Sequence, residues 1–379
     1  MSFELECEGG GIREYRNFTP IRVAAIDIGS NSIHLVIAET DNLSFRTKRE
    51  ILKDSSYTFG MTKHQNVSTF SIIHKERQLV RLGEGLGITK EYFLKEEAIN
   101  RTIDQIKKYL IKIKELDVNK VFVATTSAVR SAKNGEEFLK LVKELGLPIT
   151  VVSGKEEGEL IYLGVKSDPY FTDKAVFIID IGGGSAEFIV GKGEVPDIVQ
   201  SLDLGAVRMT SMFLHTDPPT LQEQKKLNEY VKTAIWPVIK KIKIPLNPPF
   251  INGESVDGKN MEIRTPFDIM IGTSGAIFTL TDLLLRRNHE WFTDNKIDLN
   301  DLIHKNILLN HLKELTEYLY SIPLEKRLQI PHLHPRRADI IMAGASVLIT
   351  IMEEIGIKEM ITCERALREG LIARYLFTL

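Results

Sequence analysis

The residues best placed by type and spacing to do chemistry are carboxylates at the mouths of two glycine turns. Asp180 ends the apolar run that starts at Val176, and Gly182, Gly183, Gly184 and Ser185 follow before Glu187. A turn without Cβ atoms exposes successive backbone N–H groups, which form an anion-binding nest. Two carboxylates beside that nest would repel a phosphate unless a hard cation such as Mg²⁺ sat between them and the phosphate oxygens. The same design occurs earlier: Asp27 ends the run from Val23, and Gly29, Ser30, Asn31 and Ser32 follow. One such turn reads equally well as an ordinary tight hairpin. Two copies about 150 residues apart, each with an Asp after an apolar strand, point to two similar domains facing one phosphate site. Asp180 and Glu187 are therefore candidate metal ligands, with Asp27 as a third.

A hydrolase of phosphoanhydrides must cradle the phosphates, neutralise their charge, orient a water and stabilise charge at phosphorus. The two turns supply the cradle. Arg130 follows an apolar strand directly, and its planar head of five donors suits phosphate. By itself, though, it reads more readily as a surface ion pair. Glu156 and Glu157 lie in the first turn of a helix opened by Ser153 and Gly154. On spacing alone they read as partners of the helix dipole ahead of a catalytic base. The chain has no Walker lysine pattern, no HExxH and no GxSxG. Its histidines lack metal-ligand spacing apart from His332 and His334, which read as loop residues.

Strands and helices must carry these residues. β-branched and aromatic runs predict strands at about 22–28, 33–40 and 44–52, and again at 121–126, 148–152, 176–190 (a hairpin) and 197–203. Residues 53–77 read as polar and irregular. Apolar steps of three and four residues from Phe93 to Ile113 predict an amphipathic helix over about 89–116, its lysines a solvated face. Asn134 and Ser153 are candidate helix caps. A helix at 220–243 precedes a Pro- and Gly-rich surface insertion at 244–266. A strand then runs into Gly272–Gly275, where a helix N-terminus could face a phosphate or nucleotide. Helices follow at about 299–321, 335–355 and 364–377, with a strand near 358–362. The expected organisation is a loose leader at 1–20, one domain at 21–160 and a second at 161–379.

Composition sets bounds on partners and compartment. A length of 379 residues suits about two domains, and 26% charged with 43% hydrophobic residues is ordinary for a globular protein. A net charge of −2 gives no bulk attraction to polyanions, so nucleic acid is not an expected partner and an anionic substrate needs local features. Two distant cysteines, Cys7 and Cys363, indicate a reducing compartment with no disulfide framework. The first 20 residues lack the apolar core of a signal peptide, and the apolar stretch from Ile340 to Met352 is too short to span a bilayer. A cytoplasmic protein without membrane attachment is the expectation.

The motifs in order are similar to a known family. AIDIGSNSIHLVI (25–37), RLGEGL (81–86), ATTSAVRSAKN (124–134), VVSGKEEGELIYLGV (151–165) and IIDIGGGSAEFIVG (178–191) lead the series. LGAVRMT (204–210), IGTSGA (271–276), RRADIIMAGASVL (336–348) and ALREGLI (366–372) complete it. From about residue 22 to 376 the chain resembles the Ppx/GppA family of exopolyphosphatases and guanosine pentaphosphate phosphohydrolases. The resemblance implies an α/β fold of two RNase H-like domains, of the actin-like ATPase superfamily, around a central phosphate-binding cleft. It implies that Glu157 is the general base and Arg130 a phosphate contact. It ties Asp180 and Glu187 to Mg²⁺, and it makes Gly29, Ser30, Asn31 and Ser32, together with Gly184 and Ser185 of the second turn, phosphate contacts. Where many members read Ala-Arg after the paired glutamates, this chain has Gly158 and Glu159. The resemblance implies a short two-domain member, without the helical HD-type domain and further domain of the long members. The implied activity is release of the terminal phosphate of inorganic polyphosphate, with pppGpp as the alternative substrate. A homodimer is also implied. A non-catalytic sensor of nucleotide or polyphosphate ranks lower, and a kinase lower still.

Overall fold

Runs of β-branched and apolar residues build two sheets in a computed structural model that describes residues 20–40, 70–89, 91–243, 266–286 and 304–378. The first sheet holds β1 (Ile21–Ile28), β2 (Ser32–Thr40), β3 (Ser71–Leu79), β4 (Lys120–Thr125) and β5 (Ile149–Val151) in the order β3-β2-β1-β4-β5. Its first three strands form an antiparallel meander, and β4 and β5 add in parallel on the other side of β1. The second sheet repeats this plan with β6 (Val176–Ile181), β7 (Ala186–Gly191), β8 (Ile198–Leu202), β9 (Ile269–Thr273) and β11 (Glu359–Thr362). A short β10 (Asn306–Leu308) is added antiparallel at its edge. Two sheets of the same meander-plus-parallel order are two RNase H-like domains: the paired motifs pointed to two similar domains, and the family resemblance implied this fold class. Register makes the repeat exact to the residue: Asp27 lies opposite His34 across β1–β2, and Asp180 lies opposite Glu187 across β6–β7.

The helices form layers around the sheets. On the outer face of the first sheet, α1 (Glu96–Glu115) and α3 (Gly135–Glu144) bury Ile106, Tyr109, Phe138 and Val142, with the short α2 (Ser127–Ser131) between them in sequence. The outer face of the second sheet is covered by α5 (Ala206–Phe213), α6 (Leu221–Lys243), α7 (Ser274–Leu285), α8 (Leu309–Ser321) and α10 (Ile341–Ile355), with the one-turn α9 (Leu324–Arg327) among them. Between the sheets lie α4 (Gly154–Lys166) and α11 (Leu367–Thr378), packed on each other. Each covers the sheet it does not follow: α4 comes after β5 yet packs on β7 and β8, and α11 comes after β11 yet packs on β1 and β2. A Cβ on Gly164 would collide with the Ala366 carbonyl, and one on Gly370 with the Leu160 carbonyl. Glycine at both positions is what lets the two backbones approach so closely. The expected domain boundary at 160/161 falls inside α4.

Several local expectations are revised. Residues 71–77 are not irregular but belong to β3, an edge strand whose polar sequence SIIHKERQL shows little burial to mark it. Backbone pairing with β2, with a shift in register at Ile37/Ala38, holds it in the sheet. The first long helix starts at Glu96, not 89. Asn134 stands at the N-cap of α3 without capping it; its amide instead accepts from Leu94 N at 2.8 Å and donates to Leu94 O at 3.0 Å. Ser153 does cap α4, accepting from Glu156 N at 3.2 Å. The helix expected over 335–355 is a 3₁₀ turn at Pro335–Arg337 followed by α10. The leader, the strand at 44–52 and the 244–266 insertion lie outside the described residues, apart from residues 20 and 266. Among the described residues, no helix is long and apolar enough to cross a membrane.

Candidate active site

Each hairpin turn is closed by the same bond. Gly29 N donates to Ser32 O at 3.0 Å, and Gly182 N donates to Ser185 O at 3.0 Å. The segments after β3 and β8 then hold the turn carbonyls from behind: Val80 and Arg81 N donate to Asn31 O, and Val207 and Arg208 N donate to Gly183 O. This is the place of RLGEGL and LGAVRMT in the fold. Holding the carbonyls back presents the turn N–H groups forward, as an anion nest requires. None of the turn glycines is in the left-handed region. Gly183 is needed because its Cβ would come within 2.8 Å of Ser30 Cβ. The two turns therefore touch across the boundary between the sheets.

They line one cleft of about 460 Å³ with Asp27, Asp180 and Glu157. Glu157 is 8% exposed and Glu187, beneath the floor, is 0% exposed. Burial pushes the Glu187 carboxyl up to about 8, with the charge of Asp180 adding to it. Burial pushes Asp27 up to about 7 against the pull of Arg368. Glu157 is held well above the usual carboxylate range by burial and by Glu187, with Arg130 opposing. Asp180 is raised by burial while accepting from Thr273 Oγ1 at 2.5 Å. Asp27 Oδ1 and Glu187 Oε2 are buried without a partner. Buried carboxylates with unpaired oxygens and raised pKa values fit a divalent cation. Among the described residues no three stand close enough to enclose an ion directly. Mg²⁺ typically takes one or two carboxylates and completes its shell with waters and substrate phosphates, so the donor set fits it.

The structure separates the paired glutamates. Glu156 turns outward to Arg374 at 3.0 Å, while Glu157 turns into the cleft. Arg130 is brought to Glu157 but not into the cleft lining. Its NH1 donates to Glu157 Oε2 at 3.2 Å and to Val152 O at 2.7 Å, and it lines a separate groove with Lys155 and Ser201. Gly158 sits against Val199 where α4 meets β8, and Glu159 faces solvent beside Lys155. The acid in place of the usual Arg thus points away from the cleft.

Sequence reasoning missed the cations that line the cleft: Lys75 and Arg77 on β3, Arg337, and Arg368 on α11. Arg337 is 4% exposed, its Nε lacks a partner, and burial lowers its pKa to about 9. It lies against Gly275 at the N-terminus of α7, whose Ser274 has φ 89°. The available signal was arginine in otherwise apolar motifs, RRADIIMAG and ALREGLI. Arg81 adds a two-pronged bond across the halves to Asp339, at 2.7 and 3.1 Å.

Paired RNase H-like domains, each with an Asp-tipped hairpin on a shared cleft, define an actin-like phosphate-handling protein. A model of the Ppx/GppA phosphatase family matches residues 61–378, and the chain belongs to that family. It is 28% identical over 360 residues to Exopolyphosphatase 2 of Mycobacterium tuberculosis, covering 92% of this chain and 97% of that protein. The crystal structure of the Aquifex aeolicus family member is similar, with TM-score 0.67, 28% identity and coverage of 95% and 99%. An exopolyphosphatase structure from Cytophaga hutchinsonii has the same fold, with TM-score 0.75, 24% identity and coverage of 94% and 98%.

Proposed function

We propose that this chain hydrolyses the terminal phosphoanhydride of inorganic polyphosphate in a Mg²⁺-dependent reaction. The observation that carries this reading is Glu157, buried at the cleft beside both turns and fixed by Arg130 at 3.2 Å. The turn N–H groups and the hydroxyls of Ser32 and Ser185 hold the terminal phosphate. Glu157 takes a proton from water as the water oxygen bonds to phosphorus, and the bridging P–O bond breaks toward the departing chain. Asp180, Glu187 and Asp27 would hold Mg²⁺, which supplies charge neutralisation at the phosphate oxygens. Arg77, Arg337 and Arg368 place donors along the cleft beyond the turns, among the acids Glu76, Asp282 and Glu364, the last paired with Lys75 at 2.8 Å; those arginines suit further phosphates of a chain.

The test is phosphate release with Mg²⁺ from long polyphosphate, tripolyphosphate and pppGpp in parallel. Glu157→Gln should fold normally and lose about 10²–10⁴-fold in turnover, the usual worth of a general base. Release from pppGpp alone would move the substrate to the nucleotide. Wild-type turnover in the variant would remove Glu157 from the mechanism.

A further inference from the structure

The two hairpins align without a gap, DIGSNSIH against DIGGGSAE, and differ at four positions, Ser30/Gly183, Asn31/Gly184, Ile33/Ala186 and His34/Glu187. His34 occupies the position that Glu187 holds in the second hairpin, each opposite its Asp. In the second hairpin Glu187 Oε1 accepts from Ser201 Oγ at 2.8 Å, so its hydroxyl donor comes from the neighbouring strand. In the first, His34 Nε2 lies 2.7 Å from Ser32 Oγ and His34 Nδ1 lies 2.5 Å from Arg368 NH1.

A guanidinium can only donate, so Nδ1 must accept. A neutral imidazole then carries its proton on Nε2 and donates it to Ser32 Oγ. The Ser32 hydroxyl, with an acceptor site filled from behind, keeps its own proton for the cleft it lines. Burial and the charges of Arg368, Arg77 and Arg337 all keep His34 neutral, which is the state the chain of bonds requires.

We infer that His34 is a positioning residue: backed by Arg368, it fixes the Ser32 hydroxyl as a donor to a substrate phosphate oxygen. This rests on the phosphate reading of the cleft given above.

The experiment pairs ¹⁵N NMR of His34 with calorimetry of inorganic phosphate binding by the intact protein. The expected tautomer has Nδ1 bare and Nε2 protonated; the reverse tautomer, or an imidazolium, would overturn the relay. His34→Gln places its amide near the Nε2 position and keeps a donor for Ser32, so its phosphate affinity should stay within about twofold. His34→Asn reaches only the Nδ1 position and loses that donor. It should weaken phosphate about tenfold, as much as Ser32→Ala, the usual scale for a hydrogen bond to a charged group. The double variant should lose no more than either single one. Additive losses, or equal affinity in the Asn and Gln variants, would overturn the assignment. If the wild type bound no phosphate while showing the expected tautomer, the phosphate reading itself would fall and take the role of Ser32 with it.

Discussion

Replacing Arg130 with methionine separates two roles that one arginine could play. The methionine keeps most of the stem but removes the positive charge 3.2 Å from Glu157 Oε2. The Glu157 side chain is 10% exposed and that of Arg130 28%, so the pair is screened only in part. A charge-assisted bond in such a place contributes about 1.5–3 kcal/mol, and every 1.36 kcal/mol is one pH unit. Arg130 opposes the burial that raises the Glu157 pKa, so its loss lets that pKa climb further. The acid limb of kcat/KM against pH, measured on tripolyphosphate, should therefore move up by about one to two pH units. Activity should be depressed near neutrality and recover at higher pH. Arg130→Lys, which keeps the charge but not the fork, should shift the limb less. A profile that drops uniformly without moving would refute this reasoning and place Arg130 on the substrate instead.

The raised carboxylates make stability pH-dependent. Glu187 at about 8 and Asp27 at about 7 favour the protonated form in the folded state. Their contribution is full below the ordinary carboxylate range and is lost as pH rises through those values. Metal-free protein should lose Tm between about pH 4 and 8 and level off above, with Mg²⁺ restoring more at the high end; a flat Tm unmoved by Mg²⁺ would contradict this. Arg337→Met removes a buried charge whose Nε has no partner, so denaturant unfolding should show a gain of about 1–3 kcal/mol while KM for tripolyphosphate rises. A destabilised variant would mean that Arg337 is paired in the apo protein. Gly370→Ala drives a Cβ into the Leu160 carbonyl and should cost about 3 kcal/mol in the same assay; a neutral result would mean the helices slide apart cheaply.

The turns were legible because their chemistry is local. Asp27 and Asp180 each sit one strand-end before a glycine turn, and that spacing alone implied a repeated fold. Glu157 was not separable from Glu156 by position, since both stand in the first turn of α4. Rotation about the helix axis separates them, set by Arg374 on one side and Arg130 on the other. Arg368 was invisible for a different reason: it reaches His34 across 334 residues of chain, and only the assembled fold brings them together. The β3 strand was missed because an edge strand is held by its backbone, and its charged side chains, Lys75 and Arg77 among them, turn to the cleft instead of a core.

The exchange of α4 and α11 also governs how the chain is made. During synthesis the first sheet emerges complete by residue 151, but the helix that closes its inner face is Leu367–Thr378. Val23, Ala25 and Val36 share their cluster with Val152 and Leu160 but also with Leu371 and Ile372, so it is completed only by that last helix. α4 emerges early and can settle only after β7 and β8 follow. The inner faces of the two sheets are thus coupled in folding, because each half supplies the helix that covers the other.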